Sequence, residues 1–306
     1  MTPTSWVLHI LQANYKEMFI LKGIFTALLT PFKEDYTINE SALKKLVEFN
    51  LEKGINGFYV GGSTGESMVM TNEERKEVFR IVKEAAGDKV PMIAHCGAIS
   101  TDAAIDMAKT AESLGYNAVS AVAPFYYSFP AAAIKQYYTD IVDSVNIPMV
   151  VYNFPGGNGF TFTADYAAEM FKDKRFCGIK HTSADLYTLQ QFKEKIDGVT
   201  VFNGFDEMCL GGLSMGADGA IGSTYNFMGD KFLKIYDEFN NGNIKKAQEI
   251  QNEANVIIAE MIKYGVFQCE KAVLTHMGID MGPCHKPFLP LSKEGWDAMK
   301  KVAESL

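Results

Sequence analysis

A lysine closing a short apolar run, Gly178-Ile179-Lys180-His181-Thr182, is the residue of this chain best suited to covalent chemistry. Lysine is seldom buried unless it is paired or employed. At the end of a covered strand, desolvation disfavours its charged form and leaves free amine to attack a ketone. A surface lysine, or one in a structural ion pair, would occupy the same place in the sequence. A second segment, Gly61-Gly62-Ser63-Thr64-Gly65-Glu66, combines glycines that admit close backbone approach with two hydroxyl side chains. Consecutive N–H groups there would form a nest for a carboxylate or phosphate, with Ser63 and Thr64 as further donors. No Gly-Lys-Ser/Thr follows, so it is not a P-loop; a tight turn that merely needs glycine would read alike.

Two further segments carry polar groups at the ends of apolar runs. Tyr152-Asn153 ends one such run, and a tyrosine hydroxyl facing a ligand can relay a proton if a neighbour orients it. A tyrosine whose ring packs while its hydroxyl reaches solvent is the competing reading. Gly204-Phe205-Asp206-Glu207 and Gly222-Ser223-Thr224-Tyr225 offer carboxylates and hydroxyls that could accept hydrogen bonds from a polyol. Acids opening a helix at Asp206 would also be favoured by its positive end.

These segments share one position: each follows a short apolar, β-branched run, and the runs recur roughly every 20–35 residues with an amphipathic stretch between them. The expected strands are Phe25–Phe32, Gly57–Gly62, Pro91–Gly97, Ala118–Pro124, Pro148–Pro155, Cys177–Thr182, Thr200–Gly204 and Gly219–Ser223. Runs such as Met149-Val150-Val151 do not alternate with polar residues, which fits strands covered on both faces. Thr71-Asn72-Glu73-Glu74 and Ser100-Thr101-Asp102 read as capped helix starts, the second opening a helix that ends at Gly115. Eight βα units predict an α/β fold, a (β/α)8 TIM barrel with its active site at the carboxyl ends of the strands; an open doubly wound sheet would more often use fewer strands. From Gly242 the pattern is helical only, at Ile244–Lys263, Glu270–Met277 and Lys293–Ser305. The expected organisation is a barrel over 18–241, helices packed on it over 242–306, and an N-terminal extension or upstream start over 1–17 to which no function is assigned.

Composition narrows the function classes. A net charge of −8 argues against nucleic acid, whose phosphates demand clustered Lys and Arg. An anionic substrate must then be held by local donors against the overall field. The five cysteines show neither CxxC nor zinc-ligand spacing, which suits reduced thiols in the cytoplasm. No apolar run approaches the ~20 residues a membrane span needs. His276, Cys284 and His285 lack ligand spacing, and no metal is expected; His95 reads as a core residue or one supporting the site, and Gly282-Pro283-Cys284-His285-Lys286-Pro287 as a turn.

Taken together, Gly61–Glu66, Pro124-Phe125-Tyr126-Tyr127, Tyr152-Asn153-Phe154-Pro155 and Gly178-Ile179-Lys180 resemble the pyruvate-dependent class I aldolases of the N-acetylneuraminate lyase and dihydrodipicolinate synthase family, over about Gly23 to Pro290. The segments Lys180–Tyr187, Gly204–Glu207 and Gly219–Asn226 are similar to the lyase branch. The synthase branch usually places an arginine shortly after its Tyr-Asn-x-Pro segment, where this chain has Gly156-Gly157-Asn158-Gly159. Lyases usually carry bulkier residues at Gly156 and Gly157, which predicts that this loop leaves a roomier or more mobile pocket.

The resemblance implies a Schiff base on Lys180 with proton transfer by Tyr152, no cofactor, and reversible cleavage of sialic acid to pyruvate and N-acetylmannosamine. It implies that Ser63 and Thr64 hold the substrate carboxylate. Asp206, Glu207 and Ser223 would hold the hydroxylated tail, with Thr182, Gly204 and Gly222 lining the same pocket. Tyr126 is expected to reach a neighbouring subunit's site, which makes a homotetramer the expected assembly.

Overall fold

The computed structural model describes residues 21–306, so the expected extension over 1–17 lies outside the described residues. Eight parallel strands close into a barrel in sequence order. They are β1 (Gly23–Ala27), β2 (Gly57–Val60), β3 (Met92–His95), β4 (Ala118–Val122), β5 (Met149–Asn153), β6 (Phe176–His181), β7 (Thr200–Asn203) and β8 (Gly219–Gly222). Closure sets Gly23 opposite Gly219 and Thr26 opposite Gly222, which excludes the open sheet. The helices that follow successive strands are α1 (Glu40–Glu52), α2 (Asn72–Ala86), α3 (Thr101–Ser113), α4 (Ala131–Asp143), α5 (Ala164–Met170), α6 (Leu186–Lys195), α7 (Cys209–Ser214) and α8 (Tyr225–Asn240). Three more complete the chain: α9 (Ile244–Ile262), α10 (Val266–His276) and α11 (Lys293–Glu304).

The uninterrupted apolar runs are explained by two separate cores. Phe25, Tyr59, Ile93, Val150, Tyr152, Phe202 and Ile221 point inward and fill the barrel. Their chain neighbours Ile24, Phe58, Met92, Val151, Ile179 and Val201 point outward into the larger core beneath the helices. Successive side chains of a strand face opposite ways, so both sets must be apolar. This alternation also aims Lys180: Ile179 lies in the outer core, so Lys180 turns inward, in register with Tyr152 on β5 and Phe202 on β7.

Several boundaries differ from the sequence expectation. β1 begins at Gly23 and stops at Ala27, although the apolar run continues. The Leu29 amide leaves the ladder to donate to Asn226 Oδ1 at 3.1 Å, and Asn226 Nδ2 donates back to the Ala27 carbonyl at 2.7 Å. Leu28, Leu29 and Phe32 are apolar because they are buried, not because they are strand. Thr71 and Glu74 form the expected reciprocal cap on α2, whereas Ser100 makes no side-chain cap bond to α3. α10 starts at Val266, four residues before the expected Glu270, directly after Gly265 with φ of 110°.

Candidate active site

The carboxyl ends of β2, β5, β6, β7 and β8 bring most of the singled-out residues to one end of the barrel. Lys180 is buried, and its Nζ lies 4.4 Å from the ring centroids of both Tyr59 and Tyr152. Among the described residues no carboxylate stands within ion-pair distance of that amine. The two ring faces attract a cation, but loss of water dominates: burial pushes the Lys180 pKa down to about 7, and the Asp206 carboxylate only partly opposes it. The structural readings of this lysine, a surface position or an ion pair, are therefore not what the fold builds.

Tyr152 stands beside it, 3% exposed, with its phenol facing the hydroxyls of Thr182 and Ser63. Burial raises the phenol's pKa, and the two hydroxyls hold the rise back. Phe154 stacks on the Tyr152 ring at 5.6 Å and 6°. A Cβ at Gly157 would stand 2.2 Å from the Phe154 ring. Gly157 makes way for a ring that braces the tyrosine, while a Cβ at Gly156 would lie 3.8 Å from the same ring, in ordinary contact.

In the turn after β2, Thr64 is buried and Ser63 half-buried, and neither backbone amide has an acceptor among the described residues. The glycine-only reading also holds, since a Cβ at Gly61 would meet Phe79 at 2.7 Å and one at Gly62 would meet Tyr59 at 2.6 Å. Glycine makes the turn, and among the described residues the turn leaves two amides and the Thr64 hydroxyl without a partner, while the Ser63 hydroxyl faces the Tyr152 phenol. Glu66 closes it in a left-handed conformation, with φ of 61°. Its buried carboxylate holds that geometry by pairing with Lys271 of α10 at 2.5 Å and accepting the His285 amide at 2.6 Å.

On the far side, Asp206 is buried and accepts from the Thr224 amide at 2.8 Å and its hydroxyl at 2.7 Å. The carboxylate thus crosses to the β8 loop and does not cap its own helical turn. Burial raises its pKa to about 6, against the pull of the Thr224 hydrogen bonds. Gly222 and Gly204 act as cradles: a Cβ at Gly222 would stand 2.0 Å from Asp206 Oδ1, and one at Gly204 1.9 Å from Thr182 Oγ1. Among the described residues the Thr182 hydroxyl has no complete hydrogen bond. Ser223 is half-buried beside them.

Two singled-out residues do not join this cluster. Glu207 is exposed, and its carbonyl accepts from Asn255 Nδ2 at 3.1 Å. Tyr126 is 85% exposed with φ of 79°, its ring edge-on to Tyr127 at 4.9 Å.

Other supporting residues carry no motif. Tyr59, two positions before Gly61, was detectable only as an inward strand position. His95 braces the turn: the Val122 amide donates to Nε2 at 3.2 Å, leaving Nδ1–H to donate to the Gly61 carbonyl at 3.1 Å. The buried Arg75 guanidinium donates to the His95 and Gly97 carbonyls at 2.9 and 3.0 Å. His181 is a strut, accepting from Asn153 Nδ2 at 2.9 Å and donating to the Asp185 carbonyl at 3.0 Å. Gln251 of α9 donates to the Asp206 carbonyl at 3.1 Å. No alignment of β-strand motifs points to Gln251, because its partner is 45 residues away.

The arrangement can form and hold an imine. A neutral amine is the attacking form, so the rate of imine formation with pyruvate should fall about tenfold per pH unit below pH 7. Asp206→Asn removes the one charge that raises the lysine's pKa and should move this limb to lower pH. Borohydride trapping rates across pH would measure both, and a limb that stays in place in the variant would remove Asp206 from the electrostatics of Lys180.

Comparison with known proteins follows the same lines. The chain is 41% identical over 282 residues to the N-acetylneuraminate lyase of Rhizobium meliloti (strain 1021), covering 92% of this chain and 94% of that protein. A Clostridium difficile protein solved in complex with mannosamine superposes with a TM-score of 0.92 at 34% identity, covering 94% of this chain and 99% of that one. The N-acetylneuraminate lyase of Fusobacterium nucleatum, solved with pyruvate, gives 0.90 at 36% identity, covering 95% and 99%. The sequence profile of the dihydrodipicolinate synthetase family matches residues 20–306, and the chain belongs to that family.

Proposed function

We propose that the protein is a class I aldolase that reversibly cleaves N-acetylneuraminate to N-acetylmannosamine and pyruvate through an imine on Lys180. The names of its relatives support the substrate, and the observation that carries the reaction type is the buried Lys180 amine with its pKa near 7. On this reading the substrate carboxylate docks on the free amides and hydroxyls of Ser63 and Thr64. Lys180 attacks the C2 ketone of the open-chain acid, water leaves, and a protonated imine forms. The C3–C4 bond then breaks, its electron pair passing into the imine to give an enamine, while the C4 hydroxyl loses its proton. Burial keeps the Tyr152 phenol protonated, so it relays that proton, accepting it as it passes its own towards the bound carboxylate. Protonation of the enamine and hydrolysis of the imine release pyruvate.

Asp206, Ser223 and Thr182 hold the hydroxylated tail, with Glu207 at its open edge. Buried polar groups left unpaired by a wrong aldehyde supply the discrimination. Tyr126 reaches a neighbouring subunit's site in a homotetramer: a non-glycine residue at positive φ with an exposed aromatic ring suits a contact made between subunits. The cytoplasm fits five unbonded cysteines. Among the described residues no helix is long and apolar enough to cross a membrane.

The test is a substrate panel of N-acetylneuraminate, 2-keto-3-deoxygluconate, and aspartate semialdehyde with pyruvate. N-acetylneuraminate should give the highest kcat/KM by at least about tenfold. Faster turnover of 2-keto-3-deoxygluconate would assign the site to another sugar acid, and no pyruvate release at all would leave a binding protein on this barrel.

A further inference from the structure

The turn read as the seat of the substrate carboxylate, Gly61–Glu66, contains no basic residue. The lysine that reaches it from α10, Lys271, is spent on Glu66 at 2.5 Å, and the two charges cancel. A net charge of −8 repels an anion besides. Behind the turn, however, lies a cation without a counterion. Arg75 is 2% exposed. It shares the buried stripe of α2 with Val78, Phe79 and Val82, at a position that an amphipathic helix gives to an apolar residue. Among the described residues no carboxylate stands within ion-pair distance of it, and the acids of its own helix are engaged elsewhere: Glu73 with Lys76, Glu74 with Thr71 and Glu77 with Arg80. Its partners are neutral. Nη2 donates to the His95 carbonyl at 2.9 Å and to the Gly97 carbonyl at 3.0 Å, and the buried Nε has no partner among the described residues.

An unpaired buried charge is costly and calls for a reason. A guanidinium keeps its proton even there, and its field reaches far because little water screens it. The path from Arg75 to the turn is short. Nη2 stands 3.4 Å from His95 Nδ1, and that nitrogen donates to the Gly61 carbonyl at 3.1 Å. The His95 ring lies 6.0 and 6.1 Å from the rings of Tyr59 and Tyr152, which flank Lys180. Burial first, and the Arg75 charge second, hold the His95 pKa well below the usual imidazole value. The histidine is therefore neutral and supplies no charge itself. Holding the Gly61 carbonyl fixes the planar Gly61–Gly62 peptide, next to the peptide that carries the Ser63 amide. We infer that Arg75 is a positioning residue for the substrate carboxylate: through His95 it fixes the turn, and its uncompensated charge draws the anion onto the Ser63 and Thr64 amides. The bound substrate brings the missing counter-charge, so the cost of burying the guanidinium is offset when the site fills.

The inference rests on the reading that the carboxylate docks at this turn, and the experiment separates the two. Adduct formation under borohydride is followed at one pH with pyruvate and with pyruvamide, its uncharged carboxamide. The chains compared are the native one, Arg75→Gln, Arg75→Lys and Thr64→Val. The native chain should favour pyruvate. Arg75→Gln keeps N–H donors and loses the charge, so its trapping efficiency should fall about tenfold for pyruvate and less than about twofold for pyruvamide. Arg75→Lys keeps a cation without the planar fork and should retain at least about a third of the native preference. Arg75→Met, which leaves no buried amide to satisfy, takes the place of Arg75→Gln if that variant does not fold, with the same outcomes expected. Equal loss with both ketones in Arg75→Gln, or a preference lost alike in Arg75→Gln and Arg75→Lys, would reduce the arginine to a structural role and overturn the inference. Thr64→Val should also lose the preference. A native chain that traps both ketones equally, with Thr64→Val unchanged, would instead overturn the docking of the carboxylate here, and absence of any native adduct would overturn the proposed function.

Discussion

Treated with pyruvate and borohydride, the native chain should gain one reduced pyruvyl adduct on Lys180 and lose activity in proportion. The adduct is pyruvate less one water plus the two hydrogens of reduction, located by peptide mass. Lys180→Met should take up nothing and lose about 10^4- to 10^6-fold in kcat, the range seen when a covalent nucleophile is removed. The same substitution should stabilise the fold. Lys180 falls from 10.5 to about 7 on burial, so the unfolded chain binds a proton that the folded chain releases between those values. Stability therefore rises with pH across that window, and the penalty of holding the lysine is full below pH 7. At that end it amounts to at most about 5 kcal/mol. Lys180→Met should thus have a higher Tm than the native chain below pH 7, with the advantage shrinking as pH rises. An adduct on any other lysine, or a methionine variant less stable at every pH, contradicts the buried neutral amine.

Tyr152→Phe should separate proton transfer from imine formation. The ring contacts with Lys180, Tyr59 and Phe154 need no hydroxyl, so the variant should fold and bury the lysine as before. It should lose about 10^2- to 10^4-fold in kcat for N-acetylneuraminate, the usual worth of a positioned acid–base group. Trapping of the pyruvate imine, which breaks no carbon–carbon bond, should fall much less. Equal loss in both assays would mean that the phenol chiefly orients Lys180. An unchanged kcat would transfer the proton relay to another group, with the Thr182 hydroxyl, which faces the phenol, next in line.

The barrel was legible in the sequence because its signal is local. Each strand is a short apolar run, each helix an amphipathic stretch, and eight repetitions with polar residues at the run ends suffice to place Lys180, Tyr152, Ser63, Thr64 and Asp206 at one mouth. Strand alternation even sets the direction of Lys180, once Ile179 is known to face the helices. What the local pattern could not contain are pairings between residues far apart in the chain. Neutrality of Lys180 depends on its burial among residues of other strands, which outweighs the attraction of the Tyr59 and Tyr152 rings for a cation. The left-handed Glu66 is held by Lys271 and His285, from beyond the barrel. Asp206 could have been a helix-capping acid by sequence, and only its 2.8 Å bond to the Thr224 amide decides otherwise. Glu270 marked only the start of an expected helix, since a carboxyl's burial, and its lack of a counterion among the described residues, are properties of its surroundings. Secondary structure follows from neighbours in sequence; protonation state and hydrogen-bond direction follow from neighbours in space, and the chemistry of this site is set by the second.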